Sequence, residues 1–167
     1  ELLKSAIEYR KWVGHMLSPD DAYRLVDMFK TFEMRFSRHC QNAFVIANYL
    51  NGHPLIEKVL YPGLESHPTH IEAYKLFKGK GFGGMVTFDI KGSSREEKAQ
   101  RCNLFIHQVA DYIHLVPTLG DADTILMPVE PVWGDRYPFP GMIRLSVGIE
   151  DQKELIKVIE NALDAIK

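Results

Sequence analysis

The chain has 167 residues, a length that suits one compact domain with a sizeable core and leaves little room for two. It is 46% hydrophobic and 25% charged, and its 20 Lys and Arg against 22 Asp and Glu give a net charge of -2. No segment concentrates the basic residues, which argues against nucleic acid or an anionic membrane as a partner. The longest apolar runs are far shorter than a bilayer span, and no signal peptide opens the chain. Glu1 in place of a Met reads as a start mid-sequence. Cys40 and Cys102 have no redox or zinc spacing and read as small packed apolar residues of a reducing compartment, so the expected location is the cytoplasm.

Residues 2–16 read as a helix, with Leu3, Ile7, Trp12 and Val13 among its apolar positions. "SPDD" at 18–21 opens the next: Ser18 caps, Pro19 takes the first helical position, and Asp20 and Asp21 suit the positive dipole end. A helical stripe running from Leu25 through Phe36 and Phe44 to Leu50 then predicts one long helix over 19–51. "NGHP" stops it, with Gly52 free to take a left-handed cap and Pro54 barring continuation. "IEKVLYP" is a short strand, and "SHPTHIEAYKLFKGKG" a helix entered at Pro68 and closed by Gly79 or Gly81. "GGMVTFDIK" is a strand whose Val86, Phe88 and Ile90 share a face, and Ser94 to Glu97 is a capping box for a helix to about Val109. "YIHLV", "TILMPV" and "MIRLSVG" are further strands, and "EPVWGDRYPFPG" is the longest loop. Asp151 and Glu154 box the last helix. The expected fold is α/β or α+β: a small mixed, largely antiparallel sheet covered by helices and preceded by one long helix.

"GKGFGG" at 79–84 matches the dinucleotide-binding spelling, but that mechanism needs a strand before the glycines and a helix after them. Here the order is reversed, so these glycines end a helix and turn the backbone into the sheet. His67 and His70 have a spacing that could share a helical face, but a zinc site would need further ligands and no Cys/His/Glu cluster sits nearby, so a structural role is the expectation and no metal site is assigned. Glu130 and Asp135 read as solvated loop carboxylates, and no nucleophile triad or carboxylate pair stands out. Arg144 is different. With period two, Ile143, Leu145 and Val147 point one way while Met142, Arg144 and Ser146 point the other. Periodicity alone favours an arginine that meets water; the functional alternative is a guanidinium fork held on a strand to grip a carboxylate or phosphate.

Four ordered stretches, "YPGLESHPTH", "GFGGMVTFDIKG", "TLGDADTIL" and "MIRLSVGIED", resemble the C-terminal domain of the Cys/Met-metabolism family of pyridoxal-phosphate enzymes. That family includes cystathionine γ-synthase, cystathionine lyases, methionine γ-lyase and O-acetylhomoserine sulfhydrylase. "RFSRHCQNAFVIANYL" at 35–50 is also similar to the family's R-x-x-R-H-x-x-N-A helix. The resemblance implies a fold-type-I enzyme of trans-sulfuration, a C–S lyase or γ-replacement synthase acting on sulfur amino acids or activated homoserine. It implies residues 1–18 as a linker helix from a large domain and 19–167 as the small C-terminal domain. It further implies a homotetramer whose pyridoxal phosphate is bound mainly by the large domain, where the Schiff-base lysine lies. Lys4, Lys30, Lys78 and Lys80 stand in no matching context, so no catalytic residue is assigned and the chain alone is expected to be inactive.

Two positions carry over as substrate-binding. Arg144 matches the arginine that forks onto the substrate α-carboxylate, and Thr118 matches a position near that carboxylate and the cofactor. Such a clamp orients the substrate against a cofactor that acts as electron sink. The sequence also departs from the family. "MPVEPVWGDRYPFPG" is shorter than the family's histidine-bearing loop, so no leaving-group specificity carries over, and "VDMFKTFEMR" keeps only Lys30, Thr31 and Arg35 of R-G-L-K-T-L-x-x-R. Two other readings compete: a non-catalytic α/β interaction module, and a pyridoxal-phosphate aminotransferase relative.

Overall fold

The computed structural model describes residues 1–14, 16–133 and 140–167, which fall into two compact units, 1–34 and 35–167. The first unit holds α1 (Leu2–Val13), α2 (Pro19–Lys30) and the start of α3 (Phe32–Asn51). α1 ends sooner than its apolar pattern suggests because Gly14 adopts a left-handed φ of 91°; His15 lies outside the described residues. At α2, Ser18 Oγ accepts the Asp21 N–H at 3.1 Å and Pro19 opens the helix, as expected. The predicted single helix over 19–51 is broken at Thr31, at φ -101° and ψ 4°. Its hydroxyl donates to the Met28 carbonyl at 3.2 Å, a local bond that competes with helix continuation. α1 and α2 bury no side chain, and Leu3, Trp12, Leu25 and Phe29 are all exposed.

The second unit is a five-stranded sheet in the order β1-β2-β5-β4-β3. Its strands are β1 (Ile56–Leu60), β2 (Met85–Ile90), β3 (His114–Leu115), β4 (Ile125–Pro128) and β5 (Met142–Ser146). β1, β2, β5 and β4 pair antiparallel, and β3 joins β4 in parallel, which is the mixed sheet expected. One face carries Val59, Val86, Phe88, Ile143, Leu145 and Leu126. It packs with Ala43, Ile46 and Leu50 of α3, with Phe105 of α5 (Arg95–Val109) and with Leu155 and Ile159 of α7 (Gln152–Asp164). Val86, Phe88 and Ile90 are fully buried, and the Phe88 and Phe105 rings meet edge to face at 5.5 Å.

Caps set most helix starts. Ser94 Oγ accepts the Glu97 N–H, but the Glu97 carboxylate reaches back to Ser93 rather than Ser94, a box displaced by one residue. Asp151 accepts from the N–H groups of Lys153 and Glu154, while Glu154 takes the Tyr112 hydroxyl instead of closing its box. α4 (His70–Phe77) starts two residues after Pro68 and ends on Lys78 at a left-handed φ of 50°. Gly52 is not left-handed: α3 runs out through an ordinary bond from its N–H to the Asn48 carbonyl. The expected long loop begins instead with α6 (Val129–Trp133), and residues 134–139, Asp135 included, lie outside the described residues. The glycine run behaves as read. Gly81 holds φ at 97°, and a Cβ there would stand 2.7 Å from Cys40 Cβ and Sγ, so the strand approach to α3 demands glycine.

α3 also secures the turn that follows β5. His39 donates from Nδ1 to the Val147 carbonyl at 2.6 Å. Asn42, fully buried, donates from Nδ2 to the carbonyls of Gly148 and Glu150, both at 2.9 Å. At the other end of β5, Lys98 on α5 bridges Glu57 and the buried Asp89, the latter at 3.0 Å. Burial pushes the Asp89 carboxyl above the ordinary carboxylate range, and the Lys98 bond and charge pull it back. Burial pulls Lys98 down, but its bonds to Glu57 and Asp89 outweigh that and leave it raised.

Two stability effects follow from these ties. Asn42→Ala strands the buried Gly148 carbonyl and leaves that of Glu150 only its longer bond from Arg38, a cost of about 1–3 kcal/mol, read as a lower urea midpoint at unchanged slope. A raised Lys98 pKa means the folded state holds that proton more tightly, so its contribution is complete below the unfolded value of 10.5 and is lost above it. Lys98→Met leaves Asp89 buried and unpaired, a loss of about 3–5 kcal/mol near neutral pH, whereas Asp89→Asn costs less. The Lys98→Met loss shrinks as acid protonates Asp89; urea unfolding of both variants at about pH 7 and about pH 4.5 measures it.

Candidate functional site

β5 lies between two antiparallel neighbours, so its backbone is hydrogen-bonded on both sides and its side chains hold fixed rows. Arg144 stands in one row with Thr87 on β2 and Met127 on β4, on the face opposite Ile143 and Leu145. That face is not simply washed by water. Arg144 is half-buried, Ser146 is 3% exposed, and Met142 and Met127 are buried. The expectation of an arginine that merely meets solvent is therefore corrected: alternation gives the face but not what covers it.

The cover is the loop after β3. Arg144 Nη2 donates to the carbonyls of Pro117 and Thr118, at 3.0 and 2.8 Å. Two residues along the same face, Ser146 Oγ accepts the Gly120 N–H at 2.9 Å. Arg144 Nε is buried and has no hydrogen-bond partner among the described residues. A buried guanidinium N–H without an acceptor is costly. Thr118 thus meets Arg144 through its backbone carbonyl, and its side chain is exposed.

The turn beyond β5 forms a second polar knot. Thr124 presents both its N–H and its hydroxyl to the Glu150 carboxylate, the hydroxyl at 2.9 Å, and its Oγ1 accepts the Gly148 N–H at 2.8 Å. A Cβ at Gly148 would collide with the Ala122 carbonyl and the Glu150 carboxylate, so the approach is open to glycine alone. Sequence reasoning assigned no role to Ser146, Thr124 or Glu150. The one available signal was His39 and Asn42 three residues apart on a helix, a spacing that aims both side chains at one target.

Other candidates do not join this site. His67 Nδ1 faces the Thr69 N–H and hydroxyl, and His70 donates from Nδ1 to the Pro62 carbonyl at 2.8 Å, so both serve their own turn. No group able to hold a metal ion occurs among the described residues. Glu130 pairs with Arg95. In a groove of about 520 Å³ lined by Glu57, Lys91, Ser93, Glu97 and Arg101 the charged groups already have partners: Arg101 with Glu97 at 3.0 Å, Lys91 with the Pro54 carbonyl at 2.7 Å, and Glu57 with Lys98. Cys102 is buried, its thiol pushed up to about 12 by burial and then by the charges of Asp89 and Glu130, which leaves it inert. Of the lysines, Lys4, Lys30, Lys78 and Lys80 are exposed, and the half-buried Lys98 is committed to Asp89 and Glu57. No step of cofactor chemistry is assigned to this chain. No helix among the described residues is long and apolar enough to cross a membrane.

Comparison with known proteins gives these features a setting. L-methionine gamma-lyase of Fusobacterium nucleatum subsp. polymorphum is 36% identical over 171 residues, covering 96% of this chain and 41% of that protein. Cystathionine gamma-lyase of Dictyostelium discoideum is 36% identical over 155 residues, with 91% of this chain and 40% of that protein covered. Among solved structures, O-acetylhomoserine sulfhydrylase of Wolinella succinogenes superposes with a TM-score of 0.80 at 29% identity, covering 97% of this chain and 43% of the other. The chain thus spans about two-fifths of the length of the relatives it matches. The model of the family described as Cys/Met metabolism PLP-dependent enzyme matches residues 1–164, and the chain belongs to that family of pyridoxal-phosphate enzymes.

Proposed function

We propose that this chain is the C-terminal, substrate-carboxylate-binding domain of a pyridoxal-phosphate-dependent enzyme of trans-sulfuration. The parent makes or breaks a C–S bond in a sulfur amino acid or an activated homoserine. In this reading residues 1–18 link the domain to the part that binds the cofactor, and 19–167 are the domain itself. One observation carries the assignment: Arg144 sits on a central strand with Nη2 tied to two carbonyls while its buried Nε has no partner among the described residues. That is a fork aimed and waiting for an anion. The exposed apolar residues of α1 and α2 support the same reading, because an apolar set that wide is typical of a surface covered by more protein.

The chain's own contribution is to bind and orient. A carboxylate meeting the guanidinium gains charge-assisted bonds with planar geometry, which fixes the rotation of the amino acid about its Cα. Holding the scissile bonds at one angle converts binding energy into rate, since the reactive conformation no longer has to be found by chance. Thr118 borders the clamp and, through its carbonyl, sets the tilt of the guanidinium plane. The exposed lysines agree with this division of labour, in which the covalent chemistry belongs to residues other than these.

In the full-length protein, Arg144→Ala lowers kcat/KM for a sulfur amino acid by about 100-fold or more while the melting temperature moves by only a few degrees. Arg144→Lys keeps the charge, loses the planar fork and recovers only part of the affinity. Steady-state kinetics together with a thermal melt make the measurement, and unchanged kinetics in Arg144→Ala would sink the clamp. The reading frame must also extend upstream of Glu1 and encode a cofactor lysine; a frame confined to this chain refutes the enzyme reading.

A further inference from the structure

We propose that Ser146 is a positioning residue for the Arg144 clamp, holding the Pro117–Gly120 loop so that the Nε edge of the guanidinium faces the substrate carboxylate. The inference rests on the carboxylate-clamp reading of Arg144 and adds the residue that makes the clamp rigid. Ser146 and Arg144 project from the same face of β5, a strand paired on both sides, so their separation cannot drift. Both reach one loop: Arg144 donates to the carbonyls of Pro117 and Thr118, and Ser146 accepts from the Gly120 N–H at 2.9 Å.

The loop has few other supports. Val116 donates to the Leu126 carbonyl at its start, and Ile149 donates to the Ala122 carbonyl after it. Pro117 has no N–H to offer. Between those two ties, the bonds that fasten the loop to the sheet among the described residues are those of Arg144 and Ser146. Without Ser146, the loop would hang on the very side chain it is meant to hold, and the two could swing together. Gly120 is exposed, so its freed N–H can turn to water. The loss therefore falls on orientation more than on folding. Ser146 itself is 3% exposed and its hydroxyl faces this bond, so an alanine in its place removes the acceptor with little change in volume.

The test uses the full-length protein with a sulfur amino acid as substrate and compares Ser146→Ala, Ser146→Thr and Arg144→Lys. Ser146→Ala is expected to raise KM about fivefold or more, change kcat less than about twofold, and speed amide exchange at Gly120. Ser146→Thr keeps the hydroxyl and is expected to return KM to within about twofold of the parent and to slow Gly120 exchange again. A Ser146→Ala protein with parental KM and parental Gly120 exchange overturns the inference. So does one that loses melting temperature or kcat while KM stays fixed, because that is what a purely structural serine would do. Arg144→Lys separates the two levels. A raised KM there beside a normal Ser146→Ala refutes only the positioning role, whereas an unchanged KM in Arg144→Lys removes the clamp reading beneath it.

Discussion

The structure depends on the bonds that α3 sends into the turn after β5. A turn that leaves a sheet exposes carbonyls with no strand to receive them, and buried carbonyls without donors are expensive. Here the Asn42 amide covers those of Gly148 and Glu150, and His39 covers that of Val147. Arg38 adds a longer bond to the Glu150 carbonyl at 3.4 Å. These donors come from one face of one helix, so α3 and the end of β5 are fixed as a single body. With that end fixed and both flanks paired, β5 cannot slip, and a slip of one residue would send Arg144 into the apolar core.

The same logic explains the glycines. Tyr61, fully buried, spends its hydroxyl on the Gly83 carbonyl at 3.0 Å and the Cys40 carbonyl at 3.4 Å, drawing the β2 approach against α3. Gly81 leaves the space for that contact, and Gly148 leaves the space for Thr124 and Glu150. The glycines of "GKGFGG" therefore do not form a phosphate-binding turn, and Gly148 of "SVG" plays the same close-packing part. They are places where backbone runs close against a neighbour, which is why the dinucleotide pattern matched in letters and failed in context.

Much of the fold was legible because its signals are local. Ser18, Ser94 and Asp151 announce helix starts by chemistry confined to one turn, and Val86, Phe88 and Ile90 announce a buried face by alternation. Thr31 was missed because its stripe stayed apolar on both sides while a single hydroxyl bond interrupted the helix. Gly52 was misread because a glycine at a helix end permits a left-handed cap without requiring one. α6 was hidden by Pro131 and by a stretch whose local composition reads as loop. At the site, alternation found the face of Arg144, but its tethers are 26 and 27 residues away in the chain and are carbonyls, which every residue carries. Thr118 contributes an atom that its residue type does not advertise.

That arrangement also bears on why the position holds arginine. Three buried polar atoms lack partners among the described residues: Asn42 Oδ1, Asp89 Oδ1 and Arg144 Nε. The first two belong to side chains whose other polar atom is already used to join elements of the fold, Asn42 to the turn and Asp89 to Lys98. Arg144 is the one of the three that is cationic, so an anion brought to its open donor meets a charge as well as an N–H. A lysine could satisfy the Pro117 and Thr118 carbonyls, but its single nitrogen would then point its whole charge at the loop. A guanidinium has five N–H donors spread across a rigid plane. It can give Nη2 to the loop and still present Nε, charge delocalised, in another direction. Holding a loop and gripping a carboxylate are thus compatible in one side chain only because the donors are many and their geometry is fixed.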